Sequence, residues 1–373
     1  MGRHALLSAS SSHRWLACPP SARLCENYED TGREYAQQGT DAHSLCEHKL
    51  KLSLGVETED PADGLAFYDE EMEECACGYA EYVLSLVEEA KKTCKDPVVL
   101  IEQRLDFSRF VEEGFGTGDC VIIADGALYI IDYKHGKGVE VSAEGNPQMM
   151  LYALGALELF DGIYDIESVR MAIYQPRREN VSVCVMAKDD LLQWAHNELV
   201  YKAKLAYAGE GEFCAGEHCK FCKAKAVCRK RAEYNLELAK YDFEMPATLE
   251  DDEIAAILVK ADELAAWAAD VKGFALQQAL CGVKYAGFKI VEGRSNRKHT
   301  DEDAVADTVK KAGFDPYEPK LLGITAMEKL LGKKKFAEIL KGLVEKPQGK
   351  PALVPESDKR PEMNTAQEDF KEE

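Results

Sequence analysis

The chain has 373 residues and a formal net charge of -21, with 46 Lys and Arg against 67 Asp and Glu. The excess of acidic residues argues against a protein that coats nucleic acid nonspecifically, because such binding needs many Lys and Arg contacts to phosphate. A local basic groove is still compatible with this net charge. No apolar run is long enough to span a bilayer, and the opening MGRHALLSASSSHRW lacks the apolar core of a signal peptide. We therefore expect a cytoplasmic protein without membrane contact.

Hydrophobic periodicity predicts helices over residues 39–53 and 64–93, followed by a strand in PVVLIEQRLDF and a hairpin over residues 116–134. Asn146 and Pro147 are typical of a helix start, and that helix should continue to Phe160. VRMAIYQPR and NVSVCVMA alternate as strands before an amphipathic helix over residues 189–209. The pattern indicates an α/β core in which helices flank a short mixed sheet.

The length predicts two folded units, since single cores stop growing at roughly 250 to 300 residues. We place the first at residues 1–240 and a smaller α+β unit at residues 245–345, with a helix from Leu249 to Leu280 and a strand in GFKIVEGRSNRKHT. The tail, residues 346–373, is rich in Pro, Lys and Glu and is expected to be extended or disordered.

Acidic residues interrupt the predicted hairpin near its open end. The Asp125-Gly126 pair is a strong signal for a two-residue turn, which places residue 124 opposite 127 and, further along, Asp119 opposite Asp132. Like charges so placed repel, and Lys134 on the same strand face offers only one positive charge. A divalent cation such as Mg²⁺ or Mn²⁺ would balance them and serve phosphodiester hydrolysis. The alternative is a surface hairpin whose polar ends are simply solvated.

Two helices carry further polar pairs at four-residue spacing, which puts each pair on one helix face. His43 and Glu47 follow Gly39 in GTDAHSLCEHKL, and Gln148 and Tyr152 lie just after the helix start at Asn146. An ordinary helix surface is the alternative for each pair, and neither pair alone is evidence for a site.

In order along the chain, the motifs GTxxHxxxE, GxGD, DYK and QxxxY resemble those of the RecB-type branch of the PD-(D/E)XK nuclease superfamily. The resemblance implies a restriction-endonuclease-like core with a metal bound by His43, Asp119, Asp132 and the backbone carbonyl of Tyr133. Lys134 would serve the attacking water. It further implies that Gln148 and Tyr152 contact DNA or support the site, and that Glu102, in EQRLDF, supports it as well.

The 13 cysteines include a compact C-x2-C-x5-C set, Cys219, Cys222 and Cys228, which is one ligand short of a metal or cluster site. Cys214 or His218 would complete a local zinc knot. Cys18, followed by proline, is the other candidate, and this arrangement resembles the iron-sulfur staple of AddB-type and CRISPR-associated RecB-like nucleases. That resemblance implies a structural four-iron (4Fe-4S) cluster on Cys18, Cys219, Cys222 and Cys228.

Basic residues gather around this cysteine segment and could face DNA, as could Arg177 and the basic turn at residues 294–298. They are Lys220, Lys223, Lys225, Arg229, Lys230 and Arg231. A solvated helix surface is the alternative for each.

The whole chain, including FKIVEGRSNRK and LVPESDKRP, also resembles an uncharacterised phage-encoded family known only as a domain of unknown function. We therefore expect a metal-dependent DNA exonuclease of phage recombination or replication, acting in the bacterial host. The alternative is a noncatalytic DNA-binding scaffold. Expected partners are DNA and a phage single-strand-binding or recombination protein, and the sequence leaves an oligomer open.

Overall fold

The structure is a computed structural model that describes residues 5–28, 33–237, 249–292, 300–317 and 321–345. It divides into two compact units, residues 1–278 and residues 279–373. Apart from the basic turn at residues 294–298, which lies outside the described residues, the predicted functional residues are all in the first unit.

A five-stranded mixed sheet forms the centre of the first unit. Its strands lie side by side in chain order: β1 (Val98–Asp106), β2 (Phe115–Ala124), β3 (Gly126–Tyr133), β4 (Ile166–Gln175) and β5 (Asn180–Ala187). β3 and β4 are parallel, while every other neighbouring pair is antiparallel. A parallel pair needs a crossover connection, and the helix α5 (Pro147–Phe160) lies within it. The predicted mixed α/β fold is confirmed.

Both faces of the central strands are buried because successive residues point into two different cores. Val121 packs on the face covered by α5, together with Leu154 of that helix. Ile122 packs on the opposite face, which is covered by two long helices, α3 (Arg33–Ser53) and α4 (Glu70–Ala90). This layering explains why β2 and β3 have nearly continuous apolar sequences, whereas β5 alternates between partly buried and exposed residues.

Helix boundaries follow local capping chemistry. α5 starts where predicted, because the Asn146 side chain accepts hydrogen bonds from the backbone N–H groups of Gln148 and Met149. α4 begins at Glu70 rather than at residue 64, because Asp69 caps it by accepting from Met72 N–H. α3 begins at Arg33 rather than at residue 39.

The predicted helix over residues 189–209 is built from three consecutive segments. They are α6 (Lys188–Trp194), a π-helical turn (Ala195–Leu199) and α7 (Val200–Ala208). Two short N-terminal helices, α1 (Ser12–Ala17) and α2 (Ser21–Leu24), lie against α7. Arg23 Nε donates a hydrogen bond to Tyr207 O at 2.7 Å, so this contact joins residues that are far apart in sequence.

Two further helices follow the cysteine segment. They are α8 (Arg229–Leu236) and α9 (Asp251–Leu280). Arg231, only 1% exposed, forms ion pairs with Glu263 and Asp270 at 2.7 Å each, which joins α8 to α9.

The described residues of the second unit contain helices and no strand, whereas the sequence predicts an α+β unit there. Its helices are α10 (Glu302–Lys311), α11 (Ile324–Leu331) and α12 (Lys333–Ile339). Residues 288–292 of the predicted strand have no regular structure, and Phe288 and Val291 are exposed. Apolar residues favour a strand only where a neighbouring strand packs beside them, and none does here among the described residues.

The predicted tail, residues 346–373, lies outside the described residues. Of the helices in the described part of the chain, none combines the length and apolar character that crossing a bilayer requires.

Candidate active site

The hairpin brings the two predicted aspartates to the same end of neighbouring strands. Its register is the predicted one, running from Ala124 opposite Ala127 to Cys120 opposite Ile131. Asp119 and Asp132 are the next residues along the two strands. The backbone N–H of Tyr133 donates to Asp119 Oδ2 at 2.7 Å, which fixes the orientation of that carboxylate.

His43, on α3, reaches the Asp119 carboxylate from the other side. Its Nδ1 lies 3.3 Å from Asp119 Oδ1, and its ring makes an edge contact with the Tyr133 ring at a centroid distance of 5.6 Å. Burial would lower the pKa of His43, but the charge of Asp119 and its hydrogen bond raise the pKa to about 9. The histidine predicted far upstream in sequence therefore meets the acidic hairpin.

Glu102 lies in β1 beside this pair. It interrupts the β1–β2 ladder, which continues from Ile101 opposite Cys120 to Gln103 opposite Gly118, and its φ is 50°, a left-handed value that is uncommon for glutamate. Burial first, and then the charge of Asp119, raise the pKa of Glu102 to about 7. Backbone strain of this kind concentrates at functional sites.

The side chains of His43, Glu102 and Asp119 form a candidate metal site. One ligand atom from each lies within 4.8 Å of the other two, and this is the one such group of His, Cys, Asp or Glu in the described part of the chain. Carboxylate oxygens with an imidazole nitrogen suit Mn²⁺, and carboxylates suit Mg²⁺. The raised pKa values of His43 and Glu102 fit this use, because a bound cation would replace the protons that relieve the crowding of negative charge.

Asp132 belongs to a neighbouring polar network. Its Oδ2 lies 2.8 Å from Lys134 Nζ, and its Oδ1 accepts a hydrogen bond from Gln148 Nε2 at 3.0 Å. Gln148 also accepts from Lys134 Nζ at 3.2 Å and lies 3.3 Å from the hydroxyl of Tyr152. The Asp132 carboxylate thus contacts Lys134 and Gln148. The third side chain of the candidate metal site is Glu102, whereas the sequence predicted Asp132 as a ligand.

Electrostatics links the network to the metal site. Burial raises the pKa of Asp132, the nearby ammonium of Lys134 opposes that rise, and Asp119 adds to it. Burial would lower the pKa of Lys134, but Asp132 and Asp119 together raise it. The negative charge of Asp132 and the positive charge of Lys134 therefore stabilise each other in this buried position.

The predicted cluster cysteines also come together from the two ends of the first unit. Cys18, Cys219, Cys222 and Cys228 line one small pocket, along with Cys214 and His218. The backbone N–H of Cys214 lies 3.5 Å from Cys18 Sγ. His218 Nε2 lies 2.9 Å from the carbonyl oxygen of Cys214.

Cys25 is a residue of this region that sequence reasoning missed. Its Sγ lies 3.6 Å from Cys222 Sγ, and both thiols are buried. Cys25 lies far from the C-x2-C-x5-C set in sequence and belongs to no ligand motif, so no sequence signal placed it beside these cysteines.

A family model described as "Protein of unknown function (DUF2800)" matches residues 4–361. The chain belongs to the DUF2800 family. A solved structure described as "Crystal structure of SSO0001" is similar over 52% of this chain and 97% of its own, at 16% sequence identity and a TM-score of 0.24. A score this low supports no inference about fold or function.

The predicted basic residues around the cysteines of the DUF2800 chain have different surroundings. Arg229 and Lys230 are exposed at the start of α8, and Lys230 Nζ lies 3.5 Å from Glu233 Oε2. Lys220 and Lys223 line a large cleft, which also contains Lys134. Arg231 is instead buried in the ion pairs between α8 and α9, and Lys225 pairs with Asp270 at 2.9 Å. The prediction that Arg231 faces DNA is therefore wrong, because neighbouring helices neutralise and cover it.

Arg177 also has protein partners. Its Nη2 lies 3.0 Å from Glu71 Oε2, and its side chain is only 12% exposed. This leaves little of its guanidinium for a nucleic acid.

Proposed function

We propose that this DUF2800 protein is a metal-dependent DNA nuclease of the PD-(D/E)XK, RecB-like type. It would hydrolyse phosphodiester bonds, as an exonuclease of phage recombination or replication in the bacterial cytoplasm. The observation that carries the proposal is the placement of His43, Glu102 and Asp119 directly beside the linked trio of Asp132, Lys134 and Gln148.

His43, Glu102 and Asp119 are the residues that would hold Mg²⁺ or Mn²⁺, with Asp132 and the carbonyl of Tyr133 as further candidate ligands. When bound, the divalent ion supplies Lewis-acid polarisation of the phosphate and a more acidic water.

Lys134 would contribute a fixed positive charge where negative charge develops on the phosphate. Asp132 and Gln148 hold its ammonium group from two sides, so it needs little rearrangement during the reaction. An ammonium has three donors, which leaves one for the attacking water or a phosphate oxygen. Gln148 is in turn close to the Tyr152 hydroxyl on the next turn of α5.

Cys18, Cys219, Cys222 and Cys228 would hold a structural four-iron cluster. All four of these residues line one small pocket, and four cysteine thiolates are the usual ligand set of such a cluster. A tetrahedral zinc site that uses Cys214 or His218 as a local ligand is the alternative. The cluster supports folding and takes no part in hydrolysis.

The test is cleavage of end-labelled linear DNA with Mg²⁺ or Mn²⁺ by matched hairpin variants. We expect Asp119→Asn and Lys134→Ala to reduce the rate by at least about 100-fold, because each removes charge stabilisation from the reacting phosphate. Asp125→Asn, at the exposed turn of the same hairpin, is the control and should cleave normally. Unchanged cleavage by Lys134→Ala contradicts the proposal, and binding without cleavage in every divalent metal favours the noncatalytic scaffold.

A further inference from the structure

A large cleft opens beside the proposed active site. Its volume is about 1420 Å³, and Lys134 and Gln148 contribute to its lining. Sites for small molecules usually measure about 300 to 1,000 Å³, so this cleft has room for a segment of a polymer.

An aromatic side chain stands out on the cysteine-rich wall of the cleft. Phe221 lines the cleft and is 69% exposed, although its neighbours Cys219 and Cys222 are buried. The two cysteines therefore hold the intervening residues, Lys220 and Phe221, at the surface of the cleft. An exposed ring in such a position offers a flat apolar face to an occupant.

A second aromatic group lies on β2, the strand that carries the proposed metal ligand Asp119. Phe115, at the start of β2, lines the same cleft, and the guanidinium of Arg104 lies 4.0 Å from its ring centroid. Stacked arginine and aromatic groups are common contact surfaces for nucleobases.

Aromatic exposure distinguishes what kind of strand fits. The cleft lining contains six Lys or Arg residues and six Asp or Glu residues, and basic groups contact the phosphates of single strands and of duplexes alike. Proteins that bind single strands add aromatic side chains on which bases stack, and base faces are available only where the strand is unpaired. The exposed ring of Phe221 therefore favours an unpaired strand.

We propose that this cleft binds an unpaired DNA strand leading to Lys134, and that Phe221 stacks on one of its bases. The inference rests on the proposed nuclease function for its choice of ligand, and it specifies the substrate as single-stranded or frayed DNA. The loop between Cys219 and Cys222 thereby becomes a substrate-binding element.

The experiment measures binding of the full-length protein, as isolated, in EDTA so that no DNA is cleaved. The probes are a fluorescent oligothymidylate of about twelve nucleotides, within the usual site sizes of single-strand binders, and a blunt duplex labelled in the same way. We expect tighter binding to the single strand, and a loss of about tenfold in Phe221→Ala that Phe221→Trp restores. Tyr201→Ala is the control, because Tyr201 is 66% exposed and does not line the cleft.

Equal binding by wild type and Phe221→Ala, or preference for the duplex, overturns the inference. Cleavage assays with Mn²⁺ separate this failure from that of the nuclease proposal. Metal-dependent cleavage with an unaffected Phe221→Ala rejects the stacking residue alone. Single-strand binding that depends on Phe221 without any cleavage supports the cleft and rejects the nuclease.

Discussion

Lys134 Nζ lies 2.8 Å from Asp132 Oδ2, and the Asp132 side chain is only 3% exposed. A carboxylate this deeply buried needs a partner, because an unpaired buried charge is strongly unfavourable. The same contact that would position the lysine for the proposed reaction therefore also stabilises the fold.

The variant Lys134→Ala should lower the free energy of unfolding by about 1 to 3 kcal/mol in metal-free buffer, because Asp132 then keeps only Gln148 as a partner. Urea denaturation measures this. The double variant Asp132→Asn with Lys134→Ala should regain part of the loss. Lys137→Ala, which removes an exposed lysine paired with Glu71, should change little, and an equal loss there would contradict the account.

Binding of Mn²⁺ should strengthen with pH over the range from about pH 7 to 9. The pKa of His43 is raised to about 9 and that of Glu102 to about 7, so at neutral pH His43 is protonated and Glu102 is about half protonated, and these protons compete with the metal. Affinity should rise by up to about tenfold per pH unit for each proton released. Calorimetry in buffers of different ionisation enthalpy measures the released protons, and in His43→Gln the rise above pH 7 should be smaller because the proton of Glu102 alone remains to be released.

Glu102→Gln should weaken Mn²⁺ binding by about 10- to 100-fold, because an amide oxygen carries no negative charge for the metal. Glu113→Gln is a closely matched control for metal binding, since Glu113 also has a left-handed backbone, with φ 53°, but is exposed and is not one of the candidate metal ligands. Titration of the metal followed by electron paramagnetic resonance would measure both. Equal affinity in the two variants would remove Glu102 from the ligand set.

Cys18→Ser should abolish the broad visible absorption of an iron-sulfur cluster and lower the melting temperature, because the cluster would close a loop of nearly 200 residues. Cys77→Ser, at an exposed thiol of α4, should leave both unchanged. Cys25→Ser tests whether Cys25 is a cluster ligand or only a neighbour of one. Retained iron content in this variant supports the predicted ligands Cys18, Cys219, Cys222 and Cys228. A colourless protein containing one zinc would instead indicate the local knot with Cys214 or His218.

The sequence predicted the site best where a turn or helix-cap motif of two residues determines the positions of residues further along the strand or helix. The Asp125-Gly126 turn sets the register between β2 and β3, and so it predicted that Asp119 and Asp132 lie together. Asn146 likewise fixed the start of α5 and thereby the positions of Gln148 and Tyr152.

Contacts that depend on how distant helices and strands pack together could not be predicted from the sequence. The partners of Arg231 come from a helix that begins after residue 250, and no spacing rule links them. Asp132 was predicted to share a metal with Asp119, but the choice of its partners depends on how α5 docks on the sheet. The left-handed backbone of Glu102 has no sign in the sequence, because glycine rather than glutamate is the residue typical of that conformation.

That backbone at Glu102 has a consequence for engineering. A glycine there would remove the conformational penalty of the left-handed region, about 1 kcal/mol or more, and would make the sheet more robust. It would also delete a carboxylate from the group around Asp119. Selection for heat resistance alone should therefore enrich glycine at this position, whereas selection for the proposed nuclease activity should preserve glutamate despite its strained backbone.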